Sequence, residues 1–207
     1  MTGVQPTADC YSGGERRAME ATQRWRAAAL APLLPRLTAW RVGPDGVTVA
    51  SLAAGLSFAA LWPDRPWLAV LMLLAHAVLD GIDGPLARHQ RRAGAAGSLT
   101  DTLSDQCVLA GVVAALMASG WLGAWNGGLF LFIYTVVVAF AMVRNALSIP
   151  YSWLIRPRFV LYAALPLQLT WGVSVVPWLT GALSLVLGAK LLSGYAALRT
   201  RLRRAAE

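Results

Sequence analysis

Beyond residue 46 the chain alternates between long apolar runs and short polar or proline-bearing breaks. The runs extend from Val47 to about Trp62, Trp67 to about Arg88, Ser98 to about Gly120, Leu129 to about Ile149, Phe159 to about Val176 and Pro177 to about Leu198. Several are near the roughly 20 residues that a helix needs to cross the hydrocarbon core of a bilayer. The breaks carry turn chemistry, as in Gly43-Pro44-Asp45-Gly46 and Pro63-Asp64-Arg65-Pro66. The pattern predicts an all-α, polytopic membrane helix bundle with six transmembrane helices over 43–198. Pro85 falls inside the second run and removes the hydrogen bond to the Gly81 carbonyl, so a bend or loosening is expected there.

Ahead of the runs, residues 1–13 are polar and read as a disordered tail. Residues 14–42 mix Arg16, Arg17, Arg24, Arg26 and Arg36 with Met19, Trp25, Leu30, Leu33, Leu34 and Leu37. That mixture suits an N-terminal amphipathic helix on the membrane surface, broken or kinked at Pro32 and Pro35. Residues 199–207 form a basic tail. No cleavable signal peptide is expected, because more than forty mixed residues precede the first apolar run.

Composition supports the membrane reading: 57% of the 207 residues are hydrophobic and 14% charged, and mean hydropathy is +0.55. A soluble domain carries about a quarter charged residues. The net charge of +8 is dispersed around the spans, which argues for topological bias and attraction to anionic lipid rather than for nucleic-acid binding. Arg65 stands apart; the leader, the second-to-third loop, the fourth-to-fifth loop and the tail hold most of the remaining Lys and Arg. This positive-inside bias predicts an integral protein of the cytoplasmic membrane with both termini cytoplasmic. Trp62, Trp67, Trp121, Trp125, Trp153 and Trp178 fall near span ends, as an aromatic belt would. Cys10 and Cys107 have neither zinc spacing nor a disulfide framework.

Chemistry concentrates where the second run ends and the third begins. Asp80 and Asp83 are three apart, and Asp101 and Asp105 four apart, so each pair shares a helix face. If the two helices form a hairpin, the four carboxylates can face one another at a membrane edge. Such charges repel and are costly to desolvate, so something cationic must offset them. Two divalent metal ions, Mg²⁺ or Mn²⁺, would neutralise them with hard oxygen ligands. Gly84, Ala87 and Gly97 leave room for a ligand against the backbone, and Arg88 can hold a phosphate. A metal pair there would clamp a diphosphate and stabilise charge as a phosphoryl bond breaks. His76, one turn before Asp80, reads as a hydrogen-bonded core histidine. Arg144, Arg156 and Arg158 are candidates for an acceptor or headgroup pocket, against the plainer reading of interfacial charge.

The series Asp83-Gly84, Ala87-Arg88, Gly97, Asp101 and Asp105 resembles the signature of the CDP-alcohol phosphatidyltransferases, D-G-x2-A-R-x8-G-x3-D-x3-D, and Asp80 fits its longer form. The motif covers about an eighth of the chain, with no fixed position substituted. Pro44-Asp45-Gly46-Val47-Thr48 resembles the P-N-x-x-T that opens the first span in that family, with Asp45 in place of Asn. The resemblance implies transfer of the phosphoryl-bearing moiety of a CDP-linked donor, CDP-diacylglycerol in the bacterial type, to an alcohol acceptor with release of CMP. It implies Asp80, Asp83 and Asp101 as ligands of two metal ions and Asp105 as general base and ligand. Gly84, Ala87, Arg88 and Gly97 would shape the nucleotide and diphosphate site, which would face the cytoplasm. Pairing as a homodimer comes by the same analogy. The rivals are CDP-choline or CDP-ethanolamine transfer to diacylglycerol, an ion or proton transporter using the carboxylates, an aspartate-rich membrane prenyltransferase, and a catalytically silent relative.

Overall fold

The computed structural model of the chain describes residues 25, 26, 28–147 and 156–206, with the side chains of 145, 146 and 204–206 excepted. The tail 1–13 with Cys10, residues 14–24, the Asn145 side chain and Trp153 lie outside the described residues. The described residues form α1 (Leu33–Ala39), α2 (Pro44–Leu61), α3 (Pro66–His89), α4 (Ala95–Ala118), α5 (Ala124–Ala146), α6 (Pro157–Trp171) and α7 (Val175–Ala206). No strand occurs among them, so the all-α bundle expected from the hydropathy pattern is the observed architecture.

Several helices start one turn or less before the apolar run proper. Pro44, Pro66 and Pro157 occupy the first helical turn, where a missing N–H costs nothing and a fixed φ favours entry. Pro85 does not interrupt α3, which is continuous from Pro66 to His89. Five helices are long and apolar enough to cross a membrane: α2, α3, α4, α5 and α7. At most 28% of any of these apolar windows is buried within the chain. Trp125, Phe132, Leu185 and Leu192 present most of their surface outward. Apolar surface on that scale has its favourable partner in lipid.

Two of the predicted runs come out differently from the sequence expectation. The fifth forms a helix of 15 residues, α6, about 22 Å long at 1.5 Å per residue. That is short of the ~30 Å core. Its end is set by Gly172, whose φ of 65° is a left-handed cap that glycine adopts without strain. The sixth extends past Leu198 through the basic stretch to Ala206. Arg, Ala and Leu are strong helix formers and nothing there breaks the helix, so the tail is helical rather than a separate element.

The bundle closes through α2 against α3 and α4, α5 against α7, α6 against α7, and links from α4 to α5 and from α3 to α6. α2 and α4 meet at Gly55, where an added Cβ would lie 2.5 Å from Cγ2 of the buried Val108. Small residues at such crossings let membrane helices approach closely. Trp62 departs from the aromatic-belt expectation. It is buried, stacks on Phe58 at 5.2 Å, meets Trp121 edge-on and donates from Nε1 to Ser119 Oγ at 2.8 Å. Trp67, Trp125 and Trp178 are exposed at helix ends, as a belt requires.

α1 lies within the amphipathic segment expected over 14–42, and residues 25, 26 and 28–30 ahead of it are also helical. Its buried Leu34 packs with Val47 of α2 and Leu86 of α3. The link is also polar: Gln90 Nε2 donates to the Val42 carbonyl at 2.9 Å. α1 therefore buttresses the end of the bundle that carries the acidic motif.

Candidate active site

α3 and α4 are joined by only a few residues, so their facing ends converge on one edge of the bundle. Asp80 and Asp83 come from the last turns of α3, and Asp101 and Asp105 from the first three turns of α4. Asp80, Asp101 and Asp105 each offer a carboxylate oxygen, and these atoms lie within 4.8 Å of one another. The donor set is all hard oxygen, which suits Mg²⁺ or Mn²⁺ rather than a soft metal. These residues therefore fit the divalent cation that the sequence implies.

Asp83 stands outside this group of three. It is buried, accepts a hydrogen bond from Thr48 Oγ1 at 2.8 Å and takes the Gly84 N–H on Oδ1 at 2.6 Å. Thr48 sits one turn into α2, at the position singled out by the Pro44-x3-Thr48 spacing. The first span thus orients one acid of the motif.

Beside the acids lies a cavity of about 230 Å³. Its walls include Asp83, Gly84, Ala87 and Arg88 from α3, Arg92 from the loop, Gly97 and Asp101 from α4, and Asp45 and Thr48 from α2. All four residues expected to shape the nucleotide site, Gly84, Ala87, Arg88 and Gly97, line it. A Cβ built on Gly97 meets nothing within 4 Å, so the absent side chain leaves open cavity space. The first turns of α2 and α4 both border the cavity, and neither N-cap supplies a side-chain bond. The positive ends of these two helix dipoles, with Arg88 and Arg92, therefore offset the carboxylates of Asp45, Asp83 and Asp101 in the same lining.

The three candidate arginines separate. Arg158 is 2% exposed and bonds Asp80 Oδ2 through Nη2 at 3.0 Å and Asp105 Oδ2 through Nη1. It is a counter-charge inside the acidic group. Arg156 caps α6 and is exposed. Arg144 lies against α7 near Gly194, away from the cavity lining. The sequence offered little to set Arg158 apart, because it stands 53 positions beyond Asp105 and is one of several basic residues flanking a span.

His76 is buried, as expected of a core histidine, and its Nδ1 lies 2.9 Å from Ser51 Oγ. Its other nitrogen, Nε2, faces Asp105 Oδ1 at 3.9 Å.

Comparison with known proteins identifies relatives of this chain. A profile of the CDP-alcohol phosphatidyltransferase family matches residues 41–189. The CDP-diacylglycerol–serine O-phosphatidyltransferases of Mycobacterium bovis and Mycobacterium tuberculosis are 34% identical over 112 residues, 51% of this chain. The matched stretch is 38% of the length of those relatives. In fold, the chain resembles the crystal structure of Mycobacterium tuberculosis phosphatidylinositol phosphate synthase in complex with manganese and citrate. The TM-score is 0.66 at 16% identity, over 82% of this chain and 88% of that one. With 149 of its 207 residues matched and every fixed position of the acidic motif present on two adjoining helices, the chain belongs to the CDP-alcohol phosphatidyltransferase family.

Proposed function

We propose that this protein transfers the phosphoryl-bearing moiety of a CDP-linked donor, CDP-diacylglycerol, to an alcohol and releases CMP. The observation that carries the reading is the convergence of Asp80, Asp101 and Asp105 beside a cavity lined by Gly84, Ala87, Arg88 and Gly97. An acidic group alone would serve an ion pathway equally well. An acidic group next to a cavity that holds Arg88, Arg92 and two helix N-termini serves a diphosphate.

In this reading Arg88, Arg92 and the first turn of α4 bind the diphosphate, and the glycines admit the nucleoside against the backbone. Asp80, Asp83, Asp101 and Asp105 would hold two divalent ions, Mg²⁺ or Mn²⁺, which would supply electrostatic stabilisation of phosphoryl charge. Asp105 takes the proton of the acceptor hydroxyl. The acceptor oxygen forms its bond to phosphorus as the bond from phosphorus to the CMP oxygen breaks. Arg158 holds the carboxylates of Asp80 and Asp105 in place. The relatives make serine the first acceptor to test, followed by glycerol 3-phosphate and inositol phosphate. The basic residues at the motif end of the bundle support a cytoplasmic-facing site, and both termini share that side in the reading that the short α6 crosses as the sixth span. Homodimer assembly is the quaternary part of the same proposal.

The test is CMP release and lipid product formation in proteoliposomes given CDP-diacylglycerol, Mn²⁺ or Mg²⁺ and each alcohol in turn. The expected result is turnover with one alcohol, its loss in chelator, and a fall of at least about 100-fold in Asp101→Asn and Asp105→Asn. Turnover that persists in both variants would remove the basis of the proposal. Silence with every alcohol, alongside metal-dependent ion flux, would move the protein to the transporter class.

A further inference from the structure

Among the described residues, two that are not glycine have a left-handed backbone: Arg41, with φ 57°, and Arg91, with φ 56°. They hold equivalent positions. After α1, the Arg41 N–H bonds the Thr38 carbonyl at 3.0 Å and the Val42 N–H bonds that of Leu37 at 2.9 Å. After α3, the Arg91 N–H bonds the Arg88 carbonyl at 3.1 Å and the Arg92 N–H bonds that of Ala87 at 2.8 Å. This helix cap favours glycine at its left-handed position, because a Cβ strains that backbone state. Arginine stands at both positions against the local preference, so the side chain is the reason to look for a role there.

The two caps are joined. Gln90, next to Arg91, donates from Nε2 to the carbonyl of Val42, next to Arg41, at 2.9 Å and to Thr38 Oγ1 at 3.3 Å. Arg41 and Arg91 thus flank one contact, just outside the apolar spans that begin at Pro44 and end at His89. Both are exposed, and neither makes an ion pair among the described residues. Trp40, beside Arg41, is 71% exposed, and such amphipathic rings sit at the headgroup level of a bilayer. Arg88 and Arg92 line the cavity described above, whereas Arg41 and Arg91 do not. They form a second basic pair, on the outside of the bundle.

We propose that Arg41 and Arg91 form a binding site for the phosphodiester of an anionic phospholipid at the edge of the bundle. A guanidinium offers a planar fork of N–H donors that matches phosphate oxygens, and two of them on adjoining caps serve one headgroup. Their stems lie along the ends of the apolar spans while their charged heads reach the phosphate layer. An anionic lipid is favoured over a zwitterionic one, whose own cation the arginines repel. α1 packs through Leu34 on Leu86 of α3, so a lipid held by both caps ties α1 to the end of the bundle that carries the acidic motif.

The test reads thermal unfolding in detergent micelles with phosphatidylglycerol, phosphatidylcholine or inorganic phosphate added. The wild type should gain at least about 3 °C from phosphatidylglycerol at about ten times its half-saturating concentration, and far less from the other two. The double variant Arg41→Gly/Arg91→Gly suits its backbone, so its midpoint without lipid should be no lower than that of the wild type, while the gain from phosphatidylglycerol disappears. Arg199→Gln/Arg201→Gln removes the same charge from the exposed end of α7 and should keep the gain. A double glycine variant that still gains from phosphatidylglycerol overturns the proposal. So does one that is more than about 2 °C less stable without lipid, since the arginines would then serve the joint itself. An equal loss in the α7 variant would reduce the effect to overall charge and overturn it as well. Equal stabilisation by inorganic phosphate would assign the pair to a free anion rather than a lipid, with the same consequence. No turnover is measured, so these outcomes are independent of the assigned reaction.

Discussion

Removing the Arg158 guanidinium tests whether the acidic group depends on an internal cation for stability. Arg158 is 2% exposed, and its partners Asp80 and Asp105 have side chains 9% and 12% exposed. Solvent therefore screens little of the interaction. Arg158→Met keeps the packing volume and removes the charge. Carboxylate oxygens of Asp80, Asp101 and Asp105 then lie within 4.8 Å of one another with no fixed positive group between them. At an effective dielectric constant of about 20, one such repulsion is worth about 3.5 kcal/mol. The cost of breaking a buried ion pair by deleting one partner is about 3–5 kcal/mol, in agreement. For a chain of this size each kcal/mol is worth about 2–4 °C, so the unfolding midpoint should fall by about 7–14 °C in chelator. Mn²⁺ at about 100 times its Kd for the variant returns about 2.7 kcal/mol to that protein, and the wild type is compared at the same concentration. The gain should be larger in the variant than in the wild type, because in the wild type the ion competes with Arg158 for two of its ligands. The nine tryptophans give a direct fluorescence readout of unfolding in detergent. A midpoint for Arg158→Met within about 2 °C of wild type in chelator would refute the argument, as would equal stabilisation of both proteins by Mn²⁺.

Other consequences are sharper in one measurement each. Gly97→Leu adds a side chain where nothing stands within 4 Å, so folding should be unaffected while the KM for the CDP donor rises roughly tenfold or more through filled cavity space; an unchanged KM would show that the nucleotide does not use this wall. Gly55→Ala puts a Cβ 2.5 Å from the rigid, fully buried Val108, and overpacking of that kind costs about 1–3 kcal/mol, to be read as a lower unfolding midpoint.

Much of the architecture was legible in the residue pattern. Long apolar runs must be helices in lipid, because only internal hydrogen bonding satisfies a backbone there. Turn sequences around Pro44 and Pro66 marked where two of them begin. The motif residues Gly84, Ala87, Arg88 and Gly97 do share one cavity. Less legible were the lengths of α6 and α7. The stop at Gly172 depends on a left-handed backbone state, and the extension of α7 follows from the absence of any breaker beyond Leu198.

What the sequence determined by itself is the local part: helix faces, the pairing of Asp80 with Asp83 and of Asp101 with Asp105, and a family signature at fixed spacing. Only the tertiary structure decided which acids meet. It groups Asp80, Asp101 and Asp105, sets Asp83 with Thr48 instead, brings Arg158 into the group and turns His76 toward Asp105. The physical reason is that helical periodicity relates residues three and four apart on one helix. Contacts between helices depend on how closely and at what rotation the helices pack, and those are settled by distant features such as the bare backbone of Gly55 and the start of α6 at Pro157.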